Sequence, residues 1–160
     1  MNKGALILLV DDEAGIRAMV QQNLQRAVYR VLTAADGVEA VGLLNGGAQV
    51  DLILSDQNMP LMDGMELLRQ AKHLRPLAPF IMLTAYGSIE DAVSAMKQGA
   101  FDYLCKPWQT DEMIIAIEKA LQRYRMSEEN NKLREQLQSI YGFRQIITRS
   151  PRMKAALAMA

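Results

Sequence analysis

Six side chains of this 160-residue sequence have types and positions that could do chemistry together. Asp11, Asp12 and Glu13 follow one aliphatic run, Asp56 ends a second, Thr84 a third and Lys106 a fourth. Carboxylates brought to one point repel each other unless a cation joins them. With oxygen ligands and no histidine or thiolate among them, the ion that suits the set is Mg2+. Magnesium keeps waters and bridges one or two protein carboxylates to a phosphoryl group. One of the acids could therefore itself accept phosphate, as in enzymes that form aspartyl phosphates. Lys106 would then hold phosphoryl oxygens by charge and Thr84 by a hydroxyl hydrogen bond. Taken one at a time, a helix cap, a loop carboxylate, a strand-end hydroxyl and a surface lysine explain these residues as well. Their recurrence at successive strand ends is what singles them out.

The elements that must position them are legible as hydrophobic periodicity. Residues 5–10 form a continuous aliphatic run of the kind buried on both faces of a parallel sheet, and short apolar runs recur at 29–34, 52–54, 80–83 and 102–105. Between them lie helical patterns. Ile16, Met19, Val20 and Leu24 share one face over 16–27, and shorter helices are predicted over 37–44, 65–73 and 89–98. Ser88 is placed to cap the last of these and Gly99 to end it, while Pro60 and Gly64 mark the stretch 57–64 as loop. Strands alternating with helices predict right-handed βαβ units and an α/β parallel sheet. In such sheets ligands bind at the carboxyl ends of the strands, where the six residues stand.

Composition narrows the class further. Half of the residues are hydrophobic, enough for one domain of about 100–150 residues with a remainder. Charged residues are 22% and the net charge is zero, against wholesale disorder and against a uniformly basic nucleic-acid binder. The total hides an asymmetry: residues 1–112 carry 14 acids and 9 bases, residues 113–160 carry 4 acids and 9 bases. The tail's bases are spread along the linker, so a solvated helix face explains them better than nucleic-acid binding. One cysteine, Cys105, excludes a disulfide framework and reads as a small buried hydrophobe. His73, near a helix end, is expected at the surface, and the eleven scattered methionines are expected to fill core. No apolar run reaches the length of a membrane span, and the expected home is the cytoplasm with no membrane partner.

Four motifs carry a resemblance: Leu9-Val10-Asp11-Asp12-Glu13; Asp56-Gln57-Asn58-Met59-Pro60-Leu61-Met62-Asp63-Gly64; Thr84-Ala85; and Gly99-Ala100-Phe101-Asp102-Tyr103-Leu104-Cys105-Lys106-Pro107. Over residues 5 to 125 the chain resembles the receiver domain of bacterial two-component response regulators. The resemblance implies a doubly wound, flavodoxin-like five-stranded sheet of order 2-1-3-4-5. It implies that Asp56 accepts a phosphoryl group from a sensor histidine kinase. Asp11, Asp12 and Asp56, with the backbone carbonyl of Asn58, would hold Mg2+, and Thr84 and Lys106 would contact the phosphoryl oxygens. It also implies a cis Lys106-Pro107 bond and a switch made by Thr84 and Tyr103. Drawing the Thr84 hydroxyl toward a phosphoryl group vacates space that the Tyr103 ring could fill. Gln57, Asn58 and Tyr86 vary among relatives and leave the phosphate lifetime open.

Beyond the receiver, at residues 1–125, the apolar face of the last helix (Ile114, Ile117, Leu121, Tyr124) gives way to a shifted pattern at Met126, Asn130, Leu133, Leu137 and Ile140. These positions alternate four and three apart, the seam of a short coiled coil, in which one polar Asn130 favours a fixed register and a homodimer. Residues 126–141 are thus an extended linker helix. Residues 142–160, with Ser150-Pro151-Arg152-Met153, look like the opening of the AAA+ domain of sigma-54-dependent activators of the nitrogen-regulation type. No Gly-x-x-x-x-Gly-Lys phosphate loop is reached, so the chain reads as a regulatory piece, not an enzyme, of a longer protein whose partners would include sigma-54 RNA polymerase and DNA. Two other readings are a stand-alone receiver that binds a partner protein and a magnesium-dependent phosphatase. The second is weakened because Asn58, not an acid, stands two places after Asp56.

Overall fold

The computed structural model describes residues 4–85 and 87–149, with side chains to residue 140. Tyr86 and the Ser150-Pro151 segment lie outside the described residues. Five strands, β1 (Leu6–Val10), β2 (Arg30–Ala34), β3 (Leu52–Asp56), β4 (Phe80–Thr84) and β5 (Asp102–Cys105), alternate with α1 (Ala14–Arg26), α2 (Gly37–Asn45), α3 (Gly64–Leu74), α4 (Ile89–Lys97) and α5 (Thr110–Arg149). All strand pairs are parallel and the sheet order is β2-β1-β3-β4-β5. This is the doubly wound flavodoxin-like order expected from the sequence.

Pleating explains why the central strands read as unbroken aliphatic runs. Ile7, Leu9, Leu52, Leu54, Ile81 and Leu83 point to one face, where Val20 and Leu24 of α1 and Met113 and Ile117 of α5 cover them. Leu8, Val10, Ile53, Phe80 and Met82 point to the other, beneath Leu44 of α2, Leu67 and Leu68 of α3, and Ala95 of α4. Both cores end at the same strand ends.

Local signals set the helices. Ser88 caps α4 by accepting from the Asp91 N–H, and Gly99 follows it with φ +105°, the left-handed conformation glycine adopts without penalty. Asp36 and Asp63, not singled out in the sequence, cap α2 and α3 through the N–H groups of Glu39 and Glu66. His73 is exposed in the last turn of α3, as expected. Met82 and Met113 are fully buried, while Met19, counted on the apolar face of α1, is half-exposed. Cys105 corrects the expectation of burial. It ends the edge strand β5, where the pleat turns Leu104 inward and Cys105 out to solvent.

The chain divides into two units, residues 1–124 and a second that begins at Arg125. In the first, α5 buries Met113, Ala116, Ile117, Ala120, Leu121 and Tyr124. In the second, the helix does not stop at residue 141 but runs through Gly142 to Arg149. A single interior glycine costs only about 1 kcal/mol relative to alanine, too little to end a helix by itself.

Gly64 is where the fold is least tolerant beside the acids. A Cβ there would lie 2.5 Å from the Asp56 carbonyl oxygen and 2.7 Å from Met82 Sδ, both in the closely packed floor under β3 and β4. Gly64→Ala should therefore lower stability by about 1–3 kcal/mol in urea unfolding. An unchanged midpoint would show that the turn into α3 yields freely.

Candidate functional site

Strand register assembles the site. Val10 pairs with Ser55, so Asp11 and Asp56 leave adjacent strands at the same height. Asp56 pairs with Leu83 and Thr84 with Cys105, which carries the row across β4 to Lys106. The Lys106 N–H donates to the Thr84 carbonyl at 2.6 Å, and the Lys106-Pro107 bond is cis. Asp11, Asp56 and Thr84 are buried, whereas Asp12 is exposed.

Asp11, Asp12 and Asp56 each offer a carboxylate oxygen within 4.8 Å of the others. Glu13 is not in this cluster. It stands at the N-cap of α1, and its N–H donates to Asp11 Oδ1 at 2.9 Å. The other oxygen, Asp11 Oδ2, is buried without a hydrogen-bond partner among the described residues. Such an orphan costs about 1–3 kcal/mol, or more when charged. An all-oxygen set with one buried, unpartnered oxygen fits a small hard dication such as Mg2+. Asn58, expected to contribute its carbonyl, is exposed in the loop after β3.

Burial, then the charge of Asp11, pushes the Asp56 carboxyl up to about 6, with Lys106 and the Gln57 N–H opposing. Asp11 is raised as well, mainly by burial. The Lys106 ammonium acts on both acids through space while standing over the Trp108 ring, 5.6 Å from its centroid.

Two further residues escaped the sequence reading, and a third, Gln57, entered it only as a variable neighbour of Asp56. Arg17 donates from Nη1 to the Asp11 carbonyl at 2.7 Å. Trp108 lies under Lys106. Gln57 accepts a 2.7 Å hydrogen bond on Oε1 from the Tyr103 hydroxyl. The tyrosine is thus already engaged with the residue after Asp56. Only Gln57 left a trace in the sequence, as the immediate neighbour of Asp56; the other two depend on how separate elements meet.

A parallel sheet of this order with acids, a hydroxyl and an amine at its carboxyl edge defines a signalling receiver domain. Residues 7–118 match the family described as response regulator receiver domain, and the chain belongs to that family. It is 39% identical over 159 residues to the transcriptional regulatory protein GlrR of Escherichia coli K12, covering 99% of this chain and 33% of that protein. It is 40% identical over 124 residues to the DNA-binding transcriptional regulator NtrC of the same strain, covering 78% of this chain and 26% of NtrC. The chain therefore spans about a third or less of these relatives. Among solved structures, a response regulator receiver domain protein from Clostridium thermocellum superposes with a TM-score of 0.73 at 35% identity over 76% of this chain and 98% of its own. NtrX from Brucella abortus, in complex with ADP, gives 0.73 at 36% identity over 82% of this chain and 29% of NtrX. Among the described residues no helix is long and apolar enough to cross a membrane.

The raised Asp56 carboxyl makes the metal-free fold pH-dependent. The folded carboxyl keeps its proton up to about 6, and an ordinary one releases it near 3.8. The penalty for charging it is absent below the lower value and fully developed above the higher. Between pH 5 and 7.5 metal-free protein should lose about 1–3 kcal/mol on this account. Asp56→Asn should abolish most of the loss, and millimolar Mg2+ should offset it at pH 7.5. Thermal melts with and without chelator measure this. A wild-type profile that rises toward pH 7.5 without metal would contradict the assignment.

Proposed function

We propose that this receiver accepts a phosphoryl group on Asp56 from the phosphohistidine of a sensor kinase. The observation that carries the reading is the acidic cluster with its orphaned Asp11 Oδ2. Asp11, Asp12 and Asp56, with the Asn58 carbonyl, would hold Mg2+; when bound, the ion supplies positive charge that neutralises the acids and the transferring phosphoryl oxygens. Asp56, fixed at the end of β3, attacks phosphorus in line. Its P–O bond forms as the P–N bond to the kinase imidazole breaks, and the imidazole leaves neutral after taking a proton from solvent. Lys106 moves from the face of Trp108 to the phosphoryl oxygens, and Thr84 gives them its hydroxyl proton. Thr84 and Tyr103 then form the switch that reports the new group to α4 and β5.

The output in this reading is transcriptional, consistent with the names of GlrR and NtrC. In the parent protein the receiver would control the assembly of a sigma-54-dependent AAA+ activator acting on RNA polymerase and DNA in the cytoplasm. Residues 142–160 would begin that domain. The linker supports the mode of control: Met126, Leu133, Leu137 and Ile140 are more than half exposed on one helix, and Asn130 stands in the same row. A second copy would bury this stripe in a parallel seam, worth on the order of several kcal/mol before association costs.

Asp56→Asn should take up no label from acetyl phosphate and Mg2+, and Asp12→Ala should label only at raised Mg2+. Full labelling of the asparagine variant would remove Asp56 as acceptor. For the linker, sedimentation of residues 1–125 against 1–160 is the direct comparison. The longer chain should dimerise more tightly, and Leu133→Asp with Leu137→Asp should erase the difference. Equal association constants would make the linker a solvated helix.

A further inference from the structure

Lys106 stands near two buried acids without joining either. Burial raises the Asp11 and Asp56 carboxyls, and the Lys106 charge opposes that rise through space. Among the described residues, however, its ammonium makes no ion pair or hydrogen bond with them. What it does touch is a ring. Lys106 Nζ lies 5.6 Å from the centroid of Trp108, inside the range over which the face of an aromatic ring attracts a cation. Trp108 also has an anchor of its own: it is partly buried and packs against the core that α1 and α5 close over one face of the sheet. The ring is therefore held in place by more than the lysine.

An ammonium paired with Asp56 would fill the space in which an anion on that carboxylate must sit. Docked on the ring, it leaves the acids open and remains within reach of them. We propose that Trp108 is a positioning residue whose ring docks the Lys106 ammonium in the resting state, so that the strength of this contact sets how readily the lysine turns to an anion at Asp56. The inference rests on the phosphoacceptor reading and adds to it the resting partner of the lysine. Indole holds a cation better than a benzene ring does, and an aliphatic side chain fills space without holding one. An anion at Asp56 has least to compete against in the aliphatic case.

The test uses the full 160-residue chain and beryllium fluoride, a phosphoryl mimic, at saturating Mg2+, with affinity measured by calorimetry. Trp108→Leu should bind the anion roughly two- to fivefold more tightly than wild type, the worth of one partly exposed cation–ring contact removed from the competing state. Trp108→Phe should fall between the two. It also serves if the leucine variant folds poorly, since it keeps an aromatic ring in the core. Trp108 is the only tryptophan in the chain, so its fluorescence reports the dock directly. Lys106→Met without the anion should shift the emission, and beryllium fluoride should shift that of wild type in the same direction, because each takes the ammonium off the ring. Affinity that is unchanged or lower in the Trp108 variants, or emission shifts of opposite sign, would overturn the dock and leave the acceptor reading intact. A wild-type chain that fails to bind beryllium fluoride with Mg2+ would overturn both.

Discussion

Charge crowded into a dry place is the constraint from which the rest of this molecule follows. Asp11 and Asp56 sit buried at the carboxyl edge of the sheet with Asp12 beside them, and one Asp11 oxygen has no donor to satisfy it. Holding such groups together requires a rigid floor. Two fully buried aliphatic layers and tightly registered parallel strands provide it. It also requires compensating charge near at hand, which Lys106 supplies in part through space. The stability given up at this edge is balanced by the cores beneath it, a common division between site and scaffold.

The scaffold was legible because its signals are local. Short aliphatic runs bounded by turn and helix signals read as strands covered on both faces, and Ser88 and Gly99 mark their helix by the capping chemistry of single residues. The acids were legible as a set because a parallel α/β sheet sends every strand's carboxyl end to one edge. What spacing could not show was how separate elements meet. Arg17 on Asp11, Trp108 under Lys106 and Gln57 on Tyr103 depend on register and rotamer. Cys105 was misjudged for a related reason: its strand and, through the order 2-1-3-4-5, its edge position were given, but the face it turns outward was not.

Two features bear on how a local event at the acids could be felt elsewhere. The Tyr103 hydroxyl reaches the outlet of β3 through Gln57, and Gly87 after β4 packs against both Tyr103 and Thr84, so the ends of three strands meet in one small cluster. Gly87 closes over that cluster with no room for a side chain, which ties the entry of α4 to it. A change at any of the three strands must be accommodated by the others, because packed groups shift between discrete arrangements rather than by continuous deformation.

The Asp56 carboxyl, held near 6, has a further consequence for any dication that enters the pocket. Near neutral pH the ion meets a carboxylate already free of its proton, but in mild acid each binding event must expel one. A pocket that bound a dication this way would exchange protons for metal. Its apparent affinity would fall by up to about tenfold per pH unit once the carboxyl is protonated, and binding would acidify an unbuffered solution. Occupancy of such a site would depend on both ion activity and acidity.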